Sequence, residues 1–292
     1  MRGDDFCQRL GKQSPTGKRY GDIRSLLKLS RSSITKSFWR YLLQQLFPSL
    51  ELSTGLSKRS IQARRLSSGD YKSSYYSWGI LASGGAYVFG RDGKDFNVKD
   101  TGLAVPGAVQ ALSEIIELVR AEVLPKSVSY GAVEDQMAQG KLAMLISDPW
   151  AWSNLIKSGI DFGVAPIPGV KGNLGRPFVG VSVAYLNRSS PNQDLAKEFI
   201  ERYMLTDEGL SAMDHGKPLG LPALNSLREK ITRENPLLQE LQICVDHGEV
   251  MPNIPQMGRF FTVMGAALQA ATDGQVTAEA ALREADVNMR HQ

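Results

Sequence analysis

Hydrophobic residues recur every three or four positions in several segments of the chain, and this spacing predicts amphipathic helices. The clearest case is 106–123, whose apolar residues on one face are Val109, Leu112, Ile116 and Val119. Further helices are predicted over 131–139, 192–205, 206–216, 235–248, 257–272 and 277–288. Pro, Gly, Ser, Thr and Asn at the ends of these segments are typical of helix boundaries. We therefore expect a fold in which helices dominate.

Short apolar runs between these helices predict buried strands at 142–147, 161–166 and 178–186. The first two runs flank a predicted helix, so we expect them to form a β-α-β unit with parallel strands. Helices that alternate with short buried strands are typical of an α/β layered domain. In the predicted helix 192–205, we expect Leu195, Phe199, Ile200 and Tyr203 to face inward.

Two of the four tryptophans stand at a predicted helix start, where Asp148 suits the N-cap and Pro149 the first helical position. Trp150 and Trp152 are two positions apart and therefore point in different directions. We expect one of them to anchor the core and the other to stand at the mouth of a cleft, where an indole face suits a sugar ring. Burial of both tryptophans in the core is the alternative.

Charge divides the chain into two unequal parts. Residues 1–72 hold 15 Lys and Arg against 5 Asp and Glu, whereas residues 73–292 hold 19 against 25. The pI of about 9.0 therefore reflects the first quarter of the chain, which is also rich in serine. The larger acidic part argues against a nucleic-acid partner. The basic segment itself suggests a disordered extension, with a nucleic-acid arm or a transit peptide as the alternatives.

The sequence contains none of the common motifs that indicate an enzyme. There is no G-x-S-x-G elbow, Walker loop or G-x-G-x-x-G, so we predict no catalytic residue and no cofactor. The three histidines are scattered and the two cysteines lie far apart, which predicts no metal site. A glycosidase needs two facing carboxyls. Glu134, Asp135 and Asp148 are candidates, but the first two are typical of a solvated helix face and the third of a cap. Binding in a cleft is the remaining class.

Several segments resemble the maltose/maltodextrin-binding proteins of Gram-negative bacteria, in order and with almost no gaps from about Tyr75 to the C-terminus. The most similar segments are 148–154 (DPWAWSN), 176–181 (RPFVGV), 190–192 (SPN), 195–199 (LAKEF), 205–210 (LTDEGL), 217–220 (KPLG) and 248–257 (GEVMPNIPQM). The resemblance implies a type II periplasmic-binding-protein-like α/β fold of two lobes that close around a maltodextrin. It also implies a periplasmic location and an inner-membrane ABC transporter as the partner.

The same resemblance implies three sugar-stacking residues, Tyr75, Trp150 and Phe261. Phe261 stands where the family usually has a tryptophan, so it keeps a stacking face but has less area and no indole N–H. Ser73 stands where the family has an acidic residue, which implies that an acceptor for a sugar hydroxyl is reduced or moved. For the neighbouring Phe260 we expect a core position.

The resemblance covers mainly the C-terminal lobe. Within 73–292 it implies a hinge strand near 178–186, a return segment of the N-terminal lobe over 190–227 and C-terminal-lobe helices over 240–292. Residues 1–72 do not resemble the family's N-terminal lobe and show no signal peptide. They suggest a truncated or mis-framed copy, which reading the encoding DNA in its other two frames tests. The alternative function is then a remnant with no ligand and no transport role.

Overall fold

The computed structural model describes residues 70–120, 124–125, 129–142, 144–216 and 220–291. The predictions for residues 1–72 therefore lie, apart from the last three residues, outside the described part of the chain. The elements in chain order are α1 Ser74–Ser83, β1 Gly90–Asp92, β2 Asp95–Asn97, α2 Pro106–Arg120, α3 Tyr130–Ala138, a 3-10 turn Pro149–Ala151, α4 Trp152–Lys157, a 3-10 turn Val170–Gly172, β3 Phe178–Val179, α5 Gln193–Phe199, a π-helical turn Ile200–Met204, α6 Asp207–Gly216, α7 Asn225–Glu234, α8 Pro236–His247, β4 Glu249–Val250, α9 Met257–Thr272 and α10 Ala278–Arg290.

Four helices, α1, α2, α9 and α10, pack around the main hydrophobic core. The largest side chains that they bury completely are Trp78, Leu81, Leu112, Phe260, Met264, Leu268 and Leu282. Each large apolar side chain buried in this way stabilises the fold by about 1.5–3 kcal/mol. The periodicity predicted for 106–123 is confirmed over its described residues, because Leu112, Ile116 and Val119 all face this core.

Two glycines allow α1 and α2 to approach closely. Gly84 follows the end of α1, and Gly107 is in the first turn of α2. A Cβ atom on Gly107 would overlap the backbone carbonyl of Gly84, and a Cβ on Gly84 would overlap the backbone of Gly107. Only residues without a side chain fit this crossing, which holds α1 against the core.

Strands are shorter than the apolar runs predicted. The described residues of 142–147 and 161–166 form no regular strand, so the predicted β-α-β unit is wrong. The predicted hinge strand 178–186 is limited to β3, which pairs with β4 in parallel. An apolar run becomes a strand only where a neighbouring backbone completes its hydrogen bonds, and none does so beyond Val179 in the described chain.

The segment 181–216 exposes its apolar side chains. Val181, Val183 and Tyr185 are exposed, as is Leu195, and Phe199 and Tyr203 are 58% and 63% exposed. The expectation that Leu195, Phe199 and Tyr203 face inward is therefore wrong, because α5 and the following π-helical turn pack mainly on each other and on α6. Ile200 is half-buried. Helical periodicity identifies an apolar face but not the surface that covers it.

Side-chain caps begin three of the described helices. Thr206 Oγ1 accepts a hydrogen bond from the backbone N–H of Gly209 at 3.1 Å at the start of α6. Asn235 Oδ1 accepts from Leu237 at 3.0 Å at the start of α8, and Thr277 Oγ1 accepts from Ala280 at 3.1 Å at the start of α10. Such a cap contributes about 1 kcal/mol, and it satisfies a backbone donor that the helix leaves unpaired.

Candidate functional site

The structure brings the three predicted stacking residues into one group of aromatic rings beside α1. The ring centroids of Tyr75 and Trp150 are 6.2 Å apart, with 35° between the ring planes. Phe178 lies 6.3 Å from Tyr75 and 6.3 Å from Phe261. Tyr75, Trp150 and Phe261 are called the aromatic platform below. Phe178 is the ring that links Tyr75 to Phe261.

The members of the platform differ in exposure. Trp150 is 40% exposed, whereas Tyr75 and Phe261 are half-buried. Phe260 is completely buried, as expected for a core position, and its ring packs edge-on against Phe261 at 5.3 Å. The platform therefore presents a flat indole to solvent and is supported from behind by core aromatic rings, which is the arrangement of a stacking surface.

Buried contacts beneath the platform fix Phe178 in place. The ring of Trp78 stacks on Phe178, with centroids 5.2 Å apart and 9° between the planes. Trp78 Nε1 also donates a hydrogen bond to Glu249 Oε1 at 2.7 Å, and Glu249 Oε2 lies 3.5 Å from the Arg176 guanidinium. This network ties α1 to the β3–β4 pair, so the linking ring has little freedom to move.

The two tryptophans of the segment 148–154 differ in exposure, and only one of them lies where the sequence predicts. Trp150 faces solvent, but Trp152 is half-buried and lies 6.5 Å from Phe162, outside the main core. The residues that the 3-10 turn and α4 bury are Ala151 and Leu155. The expectation that one tryptophan anchors the core is therefore wrong, although the exposure predicted for the other is confirmed.

The prediction that Asp148 caps the following helix is also wrong. The Asp148 side chain makes no capping hydrogen bond, and its carboxylate lies near the Tyr75 hydroxyl. Burial raises the pKa of the Asp148 carboxyl to about 6, and the nearby Tyr75 hydroxyl lowers that pKa in part. Burial and the nearby Asp148 raise the pKa of Tyr75 to about 12, so this hydroxyl remains a donor at neutral pH.

Two tyrosines that the sequence did not single out extend the site. Trp150 Nε1 donates to Tyr130 Oη at 2.9 Å, and that hydroxyl lies 2.7 Å from Ser147 Oγ. The Tyr130 ring stacks on Tyr76, with centroids 5.1 Å apart and 2° between the planes. Because Tyr130 is 20 residues before Trp150 in sequence, no periodic pattern links them. The one sequence feature that could have indicated Tyr130 is its position as an aromatic residue at the start of α3.

The acidic residues near the platform have local partners. Asn154 Nδ2 donates to Glu134 Oε1 at 2.5 Å, while Asp135 is exposed on α3. Across the described ranges, no group of three or more His, Cys, Asp or Glu side chains is arranged to hold a metal ion. A helix long and apolar enough to cross a membrane is likewise absent from these ranges.

Comparison with known proteins identifies the family to which this chain belongs. Residues 60–210, just over half of the chain, match the family model of the bacterial extracellular solute-binding proteins, and the chain belongs to this family. Membership indicates a periplasmic-binding-protein-like fold. Within the family, the similarity is to binding proteins for oligosaccharides, among them several for maltooligosaccharides and maltodextrins. The resemblance noted in the sequence is thereby confirmed at modest identity.

Three relatives illustrate this similarity. The maltooligosaccharide ABC transporter solute-binding lipoprotein of Streptococcus pneumoniae is 29% identical over 226 residues, covering 74% of this chain and 51% of the relative. The galactooligosaccharide-binding protein of Bacillus subtilis is 26% identical over 219 residues, with 72% and 51% covered. The maltotriose-binding protein of Pyrococcus abyssi is 26% identical over 191 residues, with 63% and 40% covered. The chain thus spans about half the length of these curated relatives or less.

Proposed function

We propose that this protein binds maltose and maltodextrins through the aromatic platform, as the solute-binding component of an ABC-type carbohydrate transporter. The observation that carries the proposal is the contact between Tyr75 and the 40% exposed Trp150, at 6.2 Å between ring centroids. Flat aromatic faces bind the C–H faces of sugar rings, and polar edges nearby orient the hydroxyl groups. The names of the relatives support the same class of ligand.

The wider setting follows from the family and is part of the proposal. A type II periplasmic-binding-protein-like architecture, with residues 73–292 forming mainly the C-terminal lobe, agrees with the core of α1, α2, α9 and α10. In such proteins closure around the ligand favours the state that the transporter recognises. The proposal includes a periplasmic location and an inner-membrane ABC transporter as the partner. The family is described as extracellular, which supports a location outside the cytoplasm.

Affinity is expected to be weak. A platform that contacts the sugar from one side gives few stacking contacts, each contributing on the order of 1 kcal/mol. A total near −4 kcal/mol corresponds to a dissociation constant of about 1 mM. The alternative function, a remnant with no ligand and no transport role, predicts no saturable binding at all.

Tryptophan fluorescence titrated with maltotriose separates the two functions. We expect a saturable change with maltotriose and none with sucrose, and we expect Trp150→Ala to abolish the change. Trp152→Ala is the matched control, because Trp152 contacts Phe162 outside the platform. A flat titration of a chain with native circular dichroism would refute sugar binding. A stronger response to a galactooligosaccharide would assign the site to the ligand class of the Bacillus subtilis relative instead.

A further inference from the structure

Glu249 lies where the β3–β4 pair meets α1. Its side-chain Oε1 accepts a hydrogen bond from Trp78 Nε1 at 2.7 Å, and its Oε2 lies 3.5 Å from Arg176 Nη2. Its backbone N–H donates to the carbonyl of Pro177 at 2.9 Å, in the ladder that pairs Glu249 with Phe178. One residue therefore contacts α1 through its carboxylate and β3 through its backbone.

Trp78 lies behind the aromatic platform and contacts both of the rings that support it. Its side chain is 1% exposed, and its ring centroid lies 5.2 Å from that of Phe178 and 5.1 Å from that of Phe260. Phe178 in turn contacts Tyr75 and Phe261, each at 6.3 Å between centroids. Phe260 contacts Phe261 at 5.3 Å. The orientation of this one buried indole therefore affects where two of the three platform rings lie.

We propose that Glu249 is a positioning residue of the sugar site, whose carboxylate holds the Trp78 indole in the orientation that places Tyr75 and Phe261 for stacking. This inference rests on the proposed function, since it states how the platform keeps its binding geometry. Sugar stacking needs the platform rings in place at once. A loosely held ring lowers affinity through the entropy lost when it becomes ordered.

The hydrogen bond supplies what ring packing alone does not. Stacking and edge contacts set the tilt of an aromatic plane, but they leave the ring free to slide or turn within that plane. Indole has a single donor, so an acceptor at its N–H fixes this remaining freedom. A carboxylate is a stronger acceptor than a neutral oxygen, and a buried donor left without a partner is costly. Arg176 contacts the second oxygen of the same carboxylate, which orients the first oxygen toward Trp78.

Maltotriose titrations of variants at both ends of this hydrogen bond, followed by tryptophan fluorescence, test the proposal. Glu249→Met keeps the length of the side chain without an oxygen acceptor, and we expect its affinity to fall about 3- to 10-fold. Glu249→Gln offers one oxygen to Trp78, the closer of the two donors, and should keep most of the affinity. Trp78→Phe keeps a ring without an N–H, so adding Glu249→Met to it should cause no further loss. Glu229→Met is the matched control, because this exposed glutamate pairs with Arg233 at 3.6 Å outside the platform, and it should bind like the unchanged protein.

Indole N–H signals in a proton–nitrogen correlation NMR spectrum give a measurement without sugar. The Trp78 signal, identified by its loss in Trp78→Phe, should be protected from exchange with solvent in the unchanged protein and in Glu249→Gln. In Glu249→Met it should shift and exchange faster, because its acceptor is gone. The Trp150 signal, identified by its loss in Trp150→Phe, should also shift in Glu249→Met and not in Glu249→Gln, because Trp150 contacts Tyr75.

These outcomes separate the positioning role from the proposed function. Absence of maltotriose binding by the unchanged protein would refute the proposed function, and the two indole signals would then decide the role of Glu249. The role is overturned if Glu249→Met leaves the Trp150 signal in place, binds maltotriose with unchanged affinity, or weakens binding no more than Glu249→Gln does. A further loss of affinity when Glu249→Met is added to Trp78→Phe would assign Glu249 to direct contact with the sugar and would also overturn it.

Discussion

Replacing Asp148 by asparagine is expected to stabilise the fold at neutral pH. Burial raises the pKa of this carboxyl to about 6, from an ordinary value of 3.8. Each pKa unit corresponds to about 1.4 kcal/mol, so keeping the carboxylate ionised in the folded state costs about 3 kcal/mol. The asparagine side chain would keep the shape of the aspartate and carry no charge, which removes this cost.

The sign of the pH dependence follows from where the proton binds more tightly. The folded state holds the Asp148 proton up to about pH 6, whereas the unfolded chain releases it near pH 4. The contribution of Asp148 to stability is therefore intact below about pH 4, declines as the pH rises from about 4 to 6, and is fully lost above that range. Asp148→Asn lacks this decline, so the two proteins should be equally stable at low pH and should differ at neutral pH.

Urea unfolding followed by circular dichroism at about pH 4 and about pH 7.5 measures this difference. We expect Asp148→Asn to raise the free energy of unfolding by about 1–3 kcal/mol at the higher pH and by less than about 0.5 kcal/mol at the lower. The melting temperature at the higher pH should then rise by about 2–4 °C per kcal/mol. Asp161→Asn, at an exposed position, should change stability little at either pH. A variant that is less stable at the higher pH, or a difference that is the same at both pH values, would refute the reasoning.

Three further predictions concern the core, the exposed apolar segment and the platform. Phe260→Ala should lower the free energy of unfolding by about 3–5 kcal/mol, whereas Phe199→Ala at an exposed site should change it by less than about 1 kcal/mol; equal losses in urea unfolding would contradict the assigned core. Phe199→Glu with Tyr203→Glu should reduce concentration-dependent self-association in sedimentation velocity, because these stacked, exposed rings form an apolar patch. Association unchanged by both charges would point to another surface. Phe261→Trp should tighten maltotriose binding about 2- to 5-fold in calorimetry by enlarging the stacking face, and weaker binding would remove Phe261 from the platform.

The helices are the part of the fold that the local sequence pattern predicts best. The bounds predicted for 257–272 and 235–248 match α9 and α8 to within one residue at each end. A helix completes its hydrogen bonds within its own segment, so apolar spacing and capping residues are sufficient to locate it. The same holds for the local motifs that carry the family resemblance, because they are contiguous in sequence.

The strands show where this information ends. The run 178–186 has the composition of a strand, yet within it only Phe178 and Val179 pair. Their partners, Glu249 and Val250, are about 70 residues away in sequence, so the run itself does not indicate where pairing begins or ends. Whether an apolar run becomes a strand depends on a second backbone that the run itself does not encode. The exposure of Leu195 and Phe199 has the same origin, since periodicity does not identify the surface that covers a face.

The sequence by itself determined the family and the main helices, and it predicted the three residues that form the aromatic platform. The tertiary structure decided which tryptophan faces solvent, that Tyr130 supports Trp150, and that Asp148 lies near Tyr75 instead of capping a helix. The physical reason is that these contacts join side chains 20 to 73 positions apart, and their hydrogen bonds and ring contacts depend on how distant helices pack. Residue type and local spacing fix what a side chain is able to do, whereas its folded neighbours fix what it does.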